Sequence, residues 1–309
     1  MAMDLSIVSP VYNEGENVKR LYAGLMEVLL PLGISFEIVF VDDGSQDESL
    51  KILKKLHDED PRVKIVSLSR NFGLQVALSA GLDATQGKIV ITMDSDLQDE
   101  PSYILKLIEK WKEGYECVYA IRQKRHETFL RTFFFESFYK VFNYLSEVKI
   151  PANAGDFCLM DRKIVDALKL LPERKRFIRG LRMWVGCRHT GIPQDRPARP
   201  KETSIKQGFK KLFNMGFDGV FSFSYVPLRL AIVMGILSSI FGFILGLKVL
   251  YEKFFTTKPI VGWTSLMVTI IFFSGIILLF LGIIGEYLCR IYDETKARPL
   301  YFVKEKIGF

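Results

Sequence analysis

The segment ITMDSDLQDEP, Ile91 to Pro101, ends an apolar run in a cluster of acids, Asp94, Asp96, Asp99 and Glu100. Their mutual repulsion costs stability unless a cation belongs among them. Asp94 and Asp96 flank a single residue, so at the end of an extended strand both carboxylates project to the same side of the chain. With the amide oxygen of Gln98 they make a hard-oxygen site suited to Mg²⁺ or Mn²⁺. An ion held by so few protein ligands keeps open positions that phosphate oxygens occupy. Such an ion would neutralise charge on a departing diphosphate without any proton transfer. An Asp-x-Asp pair alone is a weak signal, because exposed turns and helix starts carry such pairs routinely. No Gly-x-Gly-x-x-Gly follows the first apolar run and no P-loop motif occurs, so neither a dinucleotide fold nor a P-loop is supported.

Such a loop needs a scaffold, and the first 125 residues supply its pattern. LSIVSPVY, FEIVFVDD, VKIVSLSR, KIVITMDS and CVYAIR read as strands rich in Val and Ile. Helical patterns lie between them near Val18 to Leu29, Glu48 to His57, Leu74 to Ala84 and Ser102 to Trp111. Alternation of this kind predicts an α/β fold with a parallel sheet and helices on both faces, whose ligands bind beyond the carboxyl ends of the strands. Each polar cluster follows a strand: Tyr12, Asn13 and Glu14; Asp42, Asp43, Gly44 and Ser45; Arg70 and Asn71; Asp94 to Asp99. One rim of the sheet gathers them. Pro101 suits the first turn of a helix, with Ile104, Ile108 and Trp111 along one face.

The chain of 309 residues is 49% hydrophobic with a mean hydropathy of +0.17, which implies that part of it leaves water. LAIVMGILSSIFGFILGL from Leu230 and WTSLMVTIIFFSGIILLFLGIIG from Trp263 are each long enough to cross a hydrocarbon core of about 30 Å. Two membrane helices, about 229–250 and 263–286, are expected within 229–288. Residues 1–204 would form a cytosolic domain, 205–228 a juxtamembrane amphipathic helix and 289–309 a cytosolic tail. Cationic residues flank the pair: Lys210, Lys211 and Arg229 before it, Arg290, Lys296, Arg298, Lys304 and Lys306 after it. The positive-inside rule therefore puts both termini in the cytoplasm. The N-terminal residues show no signal-peptide pattern. Glu286 reads equally as a headgroup-level acid or an intersubunit contact, and a homo-oligomer is left open.

The net charge of +7 is uneven: Arg162 to Lys211 holds fifteen Lys or Arg against four Asp or Glu. Its place beside the apolar segments favours anionic headgroups or a lipid phosphate over nucleic acid, with a solvated positive face as the plain alternative. Phe129 to Leu145, crowded with aromatics, and Ile205 to Phe217, with lysines opposite an apolar face, read as interfacial helices or as segments packed on the soluble domain. Four cysteines, Cys117, Cys158, Cys187 and Cys289, show no paired spacing and read as free thiols. Three scattered histidines do not suggest zinc.

SPVYNEGENV, VFVDDGSQDES, SRNFGLQVALSAGLDAT, ITMDSDLQDEP and NAGDFCLMDRK stand in the order and approximate spacing of family 2 glycosyltransferases of the GT-A fold. Within that family the chain resembles the polyprenyl-phosphate glycosyltransferases, bactoprenol glucosyltransferases above all, with dolichol-phosphate mannose synthases as a wider circle. The ending GEYLCRIYDETKARPLYFV is similar to that of the bacterial group. The resemblance covers nearly the whole chain. It implies a GT-A catalytic domain with a mostly parallel, Rossmann-like sheet, interfacial helices and a transmembrane hairpin in the bacterial inner membrane. The implied reaction moves a sugar, glucose from UDP-glucose foremost, onto undecaprenyl phosphate, with mannosyl or aminosugar transfer from another nucleotide sugar as the alternative.

By that resemblance Pro10, Tyr12, Glu14, Asp42, Asp43, Ser45, Asn71, Asp94 and Ser95 would hold the nucleotide sugar, and Asp94, Asp96 and Gln98 the Mg²⁺ or Mn²⁺. Asp156 and Asp96 would be catalytic. Arg122, Arg131, Arg199, Ser204 and Lys206 would meet the acceptor phosphate. Two places depart from the pattern. Cys158 follows Gly-Asp-Phe where Arg is common, and Lys201, Glu202, Thr203 replace the usual Gly-Glu-Ser/Thr after the juxtamembrane Arg. A phosphate monoester is mostly ionised at cytosolic pH, since its second pKa is about 6, so the nucleophile needs placing rather than a strong base. Asp156 then orients the acceptor or balances an arginine, and the expected displacement inverts the anomeric carbon. A processive polysaccharide synthase would need a channel and a Gln-x-x-Arg-Trp motif, whereas this chain has only Arg182-Met183-Trp184. A non-catalytic membrane scaffold of the same fold is the alternative from another class.

Overall fold

The computed structural model describes residues 3–123, 151, 154–174, 176–195, 226–255 and 262–309. In chain order these form β1 (Leu5–Val11), α1 (Gly15–Leu29), β2 (Phe36–Asp42), α2 (Ser49–Glu59), β3 (Val63–Leu68), α3 (Leu74–Ala84), β4 (Ile89–Thr92), α4 (Tyr103–Lys112) and β5 (Cys117–Gln123). They continue with β6 (Ala154–Asp161), α5 (Arg162–Leu170), α6 (Ile178–Trp184), β7 (His189–Asp195), α7 (Val226–Phe255), α8 (Trp263–Thr295) and β8 (Val303–Ile307). The eight strands make one sheet in the order β7-β5-β6-β4-β1-β2-β3-β8. The five predicted strands are present. β6, β7 and β8 are additions that no alternation of strand and helix announced.

β1 pairs in parallel with both β2 and β4, and β2 in parallel with β3. The chain runs outward from β1 in one direction and returns to its other side at β4, so the gap beyond the ends of β1 and β4 is the switch point where such sheets bind ligands. Every residue of β1, β2 and β4 is buried, as expected of central strands covered on both faces. The helices meet them with apolar stripes: Val18, Leu21, Leu25 and Leu29 on α1, and Ile104, Leu107 and Ile108 on α4. These side chains join Ile7, Phe40, Ile91 and Phe157 in one core. Trp111, predicted on the same face of α4, is partly buried, and its indole N–H donates to Asp161 at 3.0 Å.

A buried polar cluster ties the opening ends of the strands. Glu37 on β2, wholly buried, accepts from the Ser6 hydroxyl at 2.5 Å and from the Gln86 N–H at 2.8 Å. It also pairs with the Lys64 ammonium at 2.8 Å.

α7 and α8 form a second compact unit within Gly216–Arg298. Each contains a window long and apolar enough to cross a membrane, Ala231–Lys248 with mean hydropathy 2.0 and Leu266–Thr295 with 2.8. Neither window is buried against protein, and Ile236, Phe243, Ile271 and Leu278 stand exposed. An apolar surface left open along a self-satisfied helical backbone is what hydrocarbon accepts and water does not. Glu286 lies inside α8 and pairs with Arg290 one turn on, at 2.9 Å. Pro299–Phe309 belongs again to the sheet unit.

Candidate active site at the carboxyl rim of the sheet

Pro10 is the first rim residue. The carbonyl of Val8 accepts from the N–H of Met93, so Val8 faces β4, and Pro10, two residues on, faces the same way beyond the last β1–β4 pair at Val8 and Thr92. Its missing N–H therefore breaks no ladder bond, and the pairing of the two strands ends before it. The loops after β1 and β2 are then latched together. Asn13, left-handed at φ 55°, donates its N–H to Ser45 and accepts from the Gln46 N–H, while the Glu14 N–H donates to Ser49.

The predicted acidic pair after β2 divides its work. Asp42 accepts from the Ser45 N–H at 3.0 Å and the Ser67 hydroxyl at 2.8 Å. Asp43 accepts from the N–H groups of Phe72 and Gly73 at 2.7 and 2.9 Å, which folds the 71–73 loop onto the start of α3. Burial pushes the Asp43 carboxyl up, and the two N–H groups only partly oppose this. Gly44 turns at φ 71°, and a Cβ there would lie 2.5 Å from the Arg70 carbonyl carbon, so neither the angle nor the space admits another residue.

These loops enclose a cleft of about 310 Å³ lined by Tyr12, Asp42, Ser45, Arg70, Asn71 and Lys304, among others. Four residues predicted to hold the nucleotide sugar therefore meet there: Tyr12, Asp42, Ser45 and Asn71. Glu14 and Asp43 are not in its wall. The Glu14 carboxylate accepts from Asn17 at 2.5 Å, so both residues shape the loops that carry the wall.

On the other side of the switch point lies the Asp94 to Asp99 loop. Ser95 and Asp99 are buried, and Asp94, Asp96 and Gln98 are half-buried. Leu97 is left-handed at φ 57°, and the turn this makes lets Asp96 accept from the Gln98 N–H at 3.1 Å. A non-glycine residue held in that region costs on the order of 1–3 kcal/mol, which the packing of Leu97 against the core offsets. Among the described residues no group of three or more His, Cys, Asp or Glu could hold a metal ion. Asp94, Asp96 and Gln98 are a smaller, hard-oxygen set, which fits a divalent ion only if other oxygens complete its shell.

β6 runs antiparallel to β4, so its beginning lies at this rim. Thr92 pairs with Cys158, and continuing that register sets Asp94 level with Asp156. The Thr92 hydroxyl donates to the Asp156 carbonyl at 2.5 Å. The Asp156 carboxylate, 6% exposed, receives the Arg179 guanidinium on both oxygens, at 2.6 and 2.5 Å. Beside it Arg182, 1% exposed, donates to the Gly155 carbonyl at 3.0 Å and lies over the Tyr119 ring. Arg179 was not among the predicted site residues. Only the basic block around it, and the Arg182-Met183-Trp184 run for its neighbour, marked the region. Arg162 and Arg176 also spend their guanidinium groups on backbone carbonyls, so part of that block is structural.

Arg122 lies on β5 opposite Gln194 of β7, at the same rim. Arg131, Arg199, Ser204 and Lys206 lie outside the described residues, as do both segments read as interfacial. The Cys117 and Cys158 sulfurs, on β5 and β6, are 3.5 Å apart, the Cys187 thiol donates to the Arg182 carbonyl at 3.4 Å, and all are free thiols.

With this geometry in view, residues 6–169 match the model of glycosyl transferase family 2. The chain belongs to that family. The glycosyltransferase is 48% identical to an uncharacterised glycosyltransferase of Synechocystis, over 100% of this chain and 97% of that one. It is 40% identical to the bactoprenol glucosyl transferase of Shigella phage SfX, over 98% of this chain and 100% of that one. Among solved structures, glucosyl-3-phosphoglycerate synthase of Mycobacterium tuberculosis, crystallised with Mn²⁺, uridine diphosphate and phosphoglyceric acid, superposes with a TM-score of 0.52. It is 18% identical, covers 71% of this chain and 76% of that one, and shares the GT-A fold.

Proposed function

We propose that this glycosyltransferase moves glucose from UDP-glucose to a membrane polyprenyl phosphate, undecaprenyl phosphate, with inversion at the anomeric carbon. The observation that carries the reading is the extent of the likeness to a bactoprenol glucosyl transferase: 98% of this chain and 100% of that one, apolar helices included. A water-soluble acceptor would give those helices no reason to accompany the catalytic sheet.

In this reading Tyr12, Asp42, Ser45 and Asn71 receive the nucleoside in the cleft, with Pro10 at the rim beside it and Glu14 and Asp43 bracing its loops. Asp94 and Ser95 reach the diphosphate. Asp94, Asp96 and Gln98 hold Mg²⁺ or Mn²⁺, which when bound screens the charge of the departing diphosphate. The acceptor phosphate arrives already ionised, so the chain's task is to place and screen it. Arg122, Arg131, Arg199, Ser204 and Lys206 are assigned to that phosphate, because guanidinium groups meet phosphate oxygens in two-pronged fashion. Asp156, clasped by Arg179, holds that cation at the rim instead of removing a proton. Asp96 acts through the metal. The sheet unit and both termini are placed in the cytoplasm of a bacterial cell, with α7 and α8 crossing the inner membrane. In favour of this, β8 pairs with β3, so the chain rejoins after α8 the same sheet that it leaves before α7.

The test is transfer from radiolabelled nucleotide sugars to undecaprenyl phosphate by the detergent-purified protein, with Mg²⁺ or Mn²⁺ and with chelator. Chelator-sensitive label from UDP-glucose in the lipid, in inverted configuration, is expected. Label from another donor would replace the sugar assigned here, retention would overturn the single displacement, and no transfer from any donor would return the protein to a scaffold.

A further inference from the structure

The cleft has a wall that no family motif supplies. Lys304 comes from β8, beyond the second apolar helix, yet it lines the same cleft as Tyr12, Asp42 and Arg70. The pairing of β8 with β3 shows how it gets there. Val66 faces Lys306 and Ser67 faces Glu305, but Leu68 faces Val303, so Lys304 is the extra residue of a bulge. A bulge frees one residue from the ladder and turns its side chain out of the strand's alternation.

The residues around it are pinned. Glu305 pairs with Lys54 at 2.7 Å, the Phe302 carbonyl accepts from the Ser69 N–H at 2.9 Å, and the Tyr301 hydroxyl donates to Asp83 at 2.8 Å. Lys306 lies 5.7 Å from the centre of the Phe309 ring. Lys304 forms no ion pair with a carboxylate among the described residues. It is an exposed cation at the cleft, next to a Glu305 that is already paired.

What it meets follows from the layout. The acidic loop follows β4, on one side of β1, and the cleft lies over β2 and β3 on the other. A nucleoside diphosphate whose phosphates lie toward Asp94 and Asp96 sends its base toward β3 and β8. We propose that Lys304 is a donor-binding residue whose ammonium donates to a carbonyl oxygen of the nucleotide base, so that the two ends of the chain jointly form the base pocket. This rests on the nucleotide-sugar reading above.

Binding of UDP and of uridine to the full-length protein in detergent, measured by calorimetry, tests it. Lys304→Met is expected to weaken both ligands by about tenfold or more, the range of a hydrogen bond to a charged group. Lys304→Arg should recover part of the loss, and Lys306→Met should bind as the wild type does. Melting temperatures should stay unchanged, since the contacts of Tyr301, Phe302 and Glu305 remain. Wild-type affinity in Lys304→Met would overturn the proposal. A loss for UDP with none for uridine would overturn the base contact in favour of the phosphates. Wild-type protein that binds GDP instead of UDP would overturn the uridine donor while Lys304→Met is read against GDP and guanosine, and wild-type protein that binds no nucleotide would overturn both readings.

Discussion

At the scale of single residues, the clasp between Asp156 and Arg179 separates two roles that the sequence left open. A carboxylate gripped on both oxygens is an anchor, so what it holds should matter as much as its own charge. Arg179→Ala leaves Asp156 buried without that partner, and removing one member of a buried pair costs about 3–5 kcal/mol. Turnover should fall on the order of a hundredfold, and Arg179→Lys should not restore it, because an ammonium cannot span two oxygens. Equal kcat in wild type and Arg179→Ala, measured with saturating donor, would make the pair purely structural. Asp96→Ala should abolish transfer while the protein still inserts into membranes, which fractionation and a lipid-transfer assay read separately. Gly44→Ala should cost about 1–3 kcal/mol in nucleotide affinity, because it forces a strained angle and a backbone clash at once. The Asp94 to Asp99 loop was legible because its acids end an apolar run that reads as a strand. Arg179 was not, because its meaning depends on a partner 23 residues away that only the fold brings within reach.

At the scale of elements, the strands β1, β2 and β4 were legible and the two edges of the sheet were not, for one physical reason. β1, β2 and β4 must be apolar on both faces, so they advertise themselves. HTGIPQD and VKEKI lie at the two edges of the sheet, where Pro, Gly and charge are tolerated and guard against pairing with other chains. β6 carries a motif, NAGDFCLMDRK, without the strand–helix alternation that marks the others, since β4 and β5 reach it only by antiparallel pairing that spacing does not predict. The polar tie beneath β1, β2 and β3 gives this layer a pH dependence. Burial alone would raise the Glu37 pKa. Lys64, Ser6 and the Gln86 N–H outweigh burial and leave the pKa lowered from 4.5. A lowered folded pKa means that Glu37 contributes its stability in full above about 4.5 and loses it as pH falls through the folded value. Urea melts of the detergent-solubilised protein should therefore show stability falling below that pH, less steeply in Glu37→Gln. Glu37→Ala should lose about 3 kcal/mol at neutral pH, much of it regained in Glu37→Ala with Lys64→Met. If the single and double variants melted together, the ion pair would not be the cause.

At the scale of the whole molecule, hydropathy made the two long helices plain, and it said nothing of the return to the sheet. Residues 289–309 read as a tail because VKEKI carries too little apolar pattern to compete with the helix before it. Truncation after Arg298 should leave α7 and α8 in the membrane fraction and remove nucleotide binding, which ultrafiltration with labelled UDP would show. Retained binding would mean that the pocket is complete without its last strand. The same strand sets an order of events in the making of the protein. A ribosome releases the first seven strands early, but β3 keeps one bare edge until Val303–Ile307 follows both apolar helices out. The nascent sheet thus carries an unpaired β3 edge until both apolar helices have been made, and the cleft gains its Lys304 wall only after them.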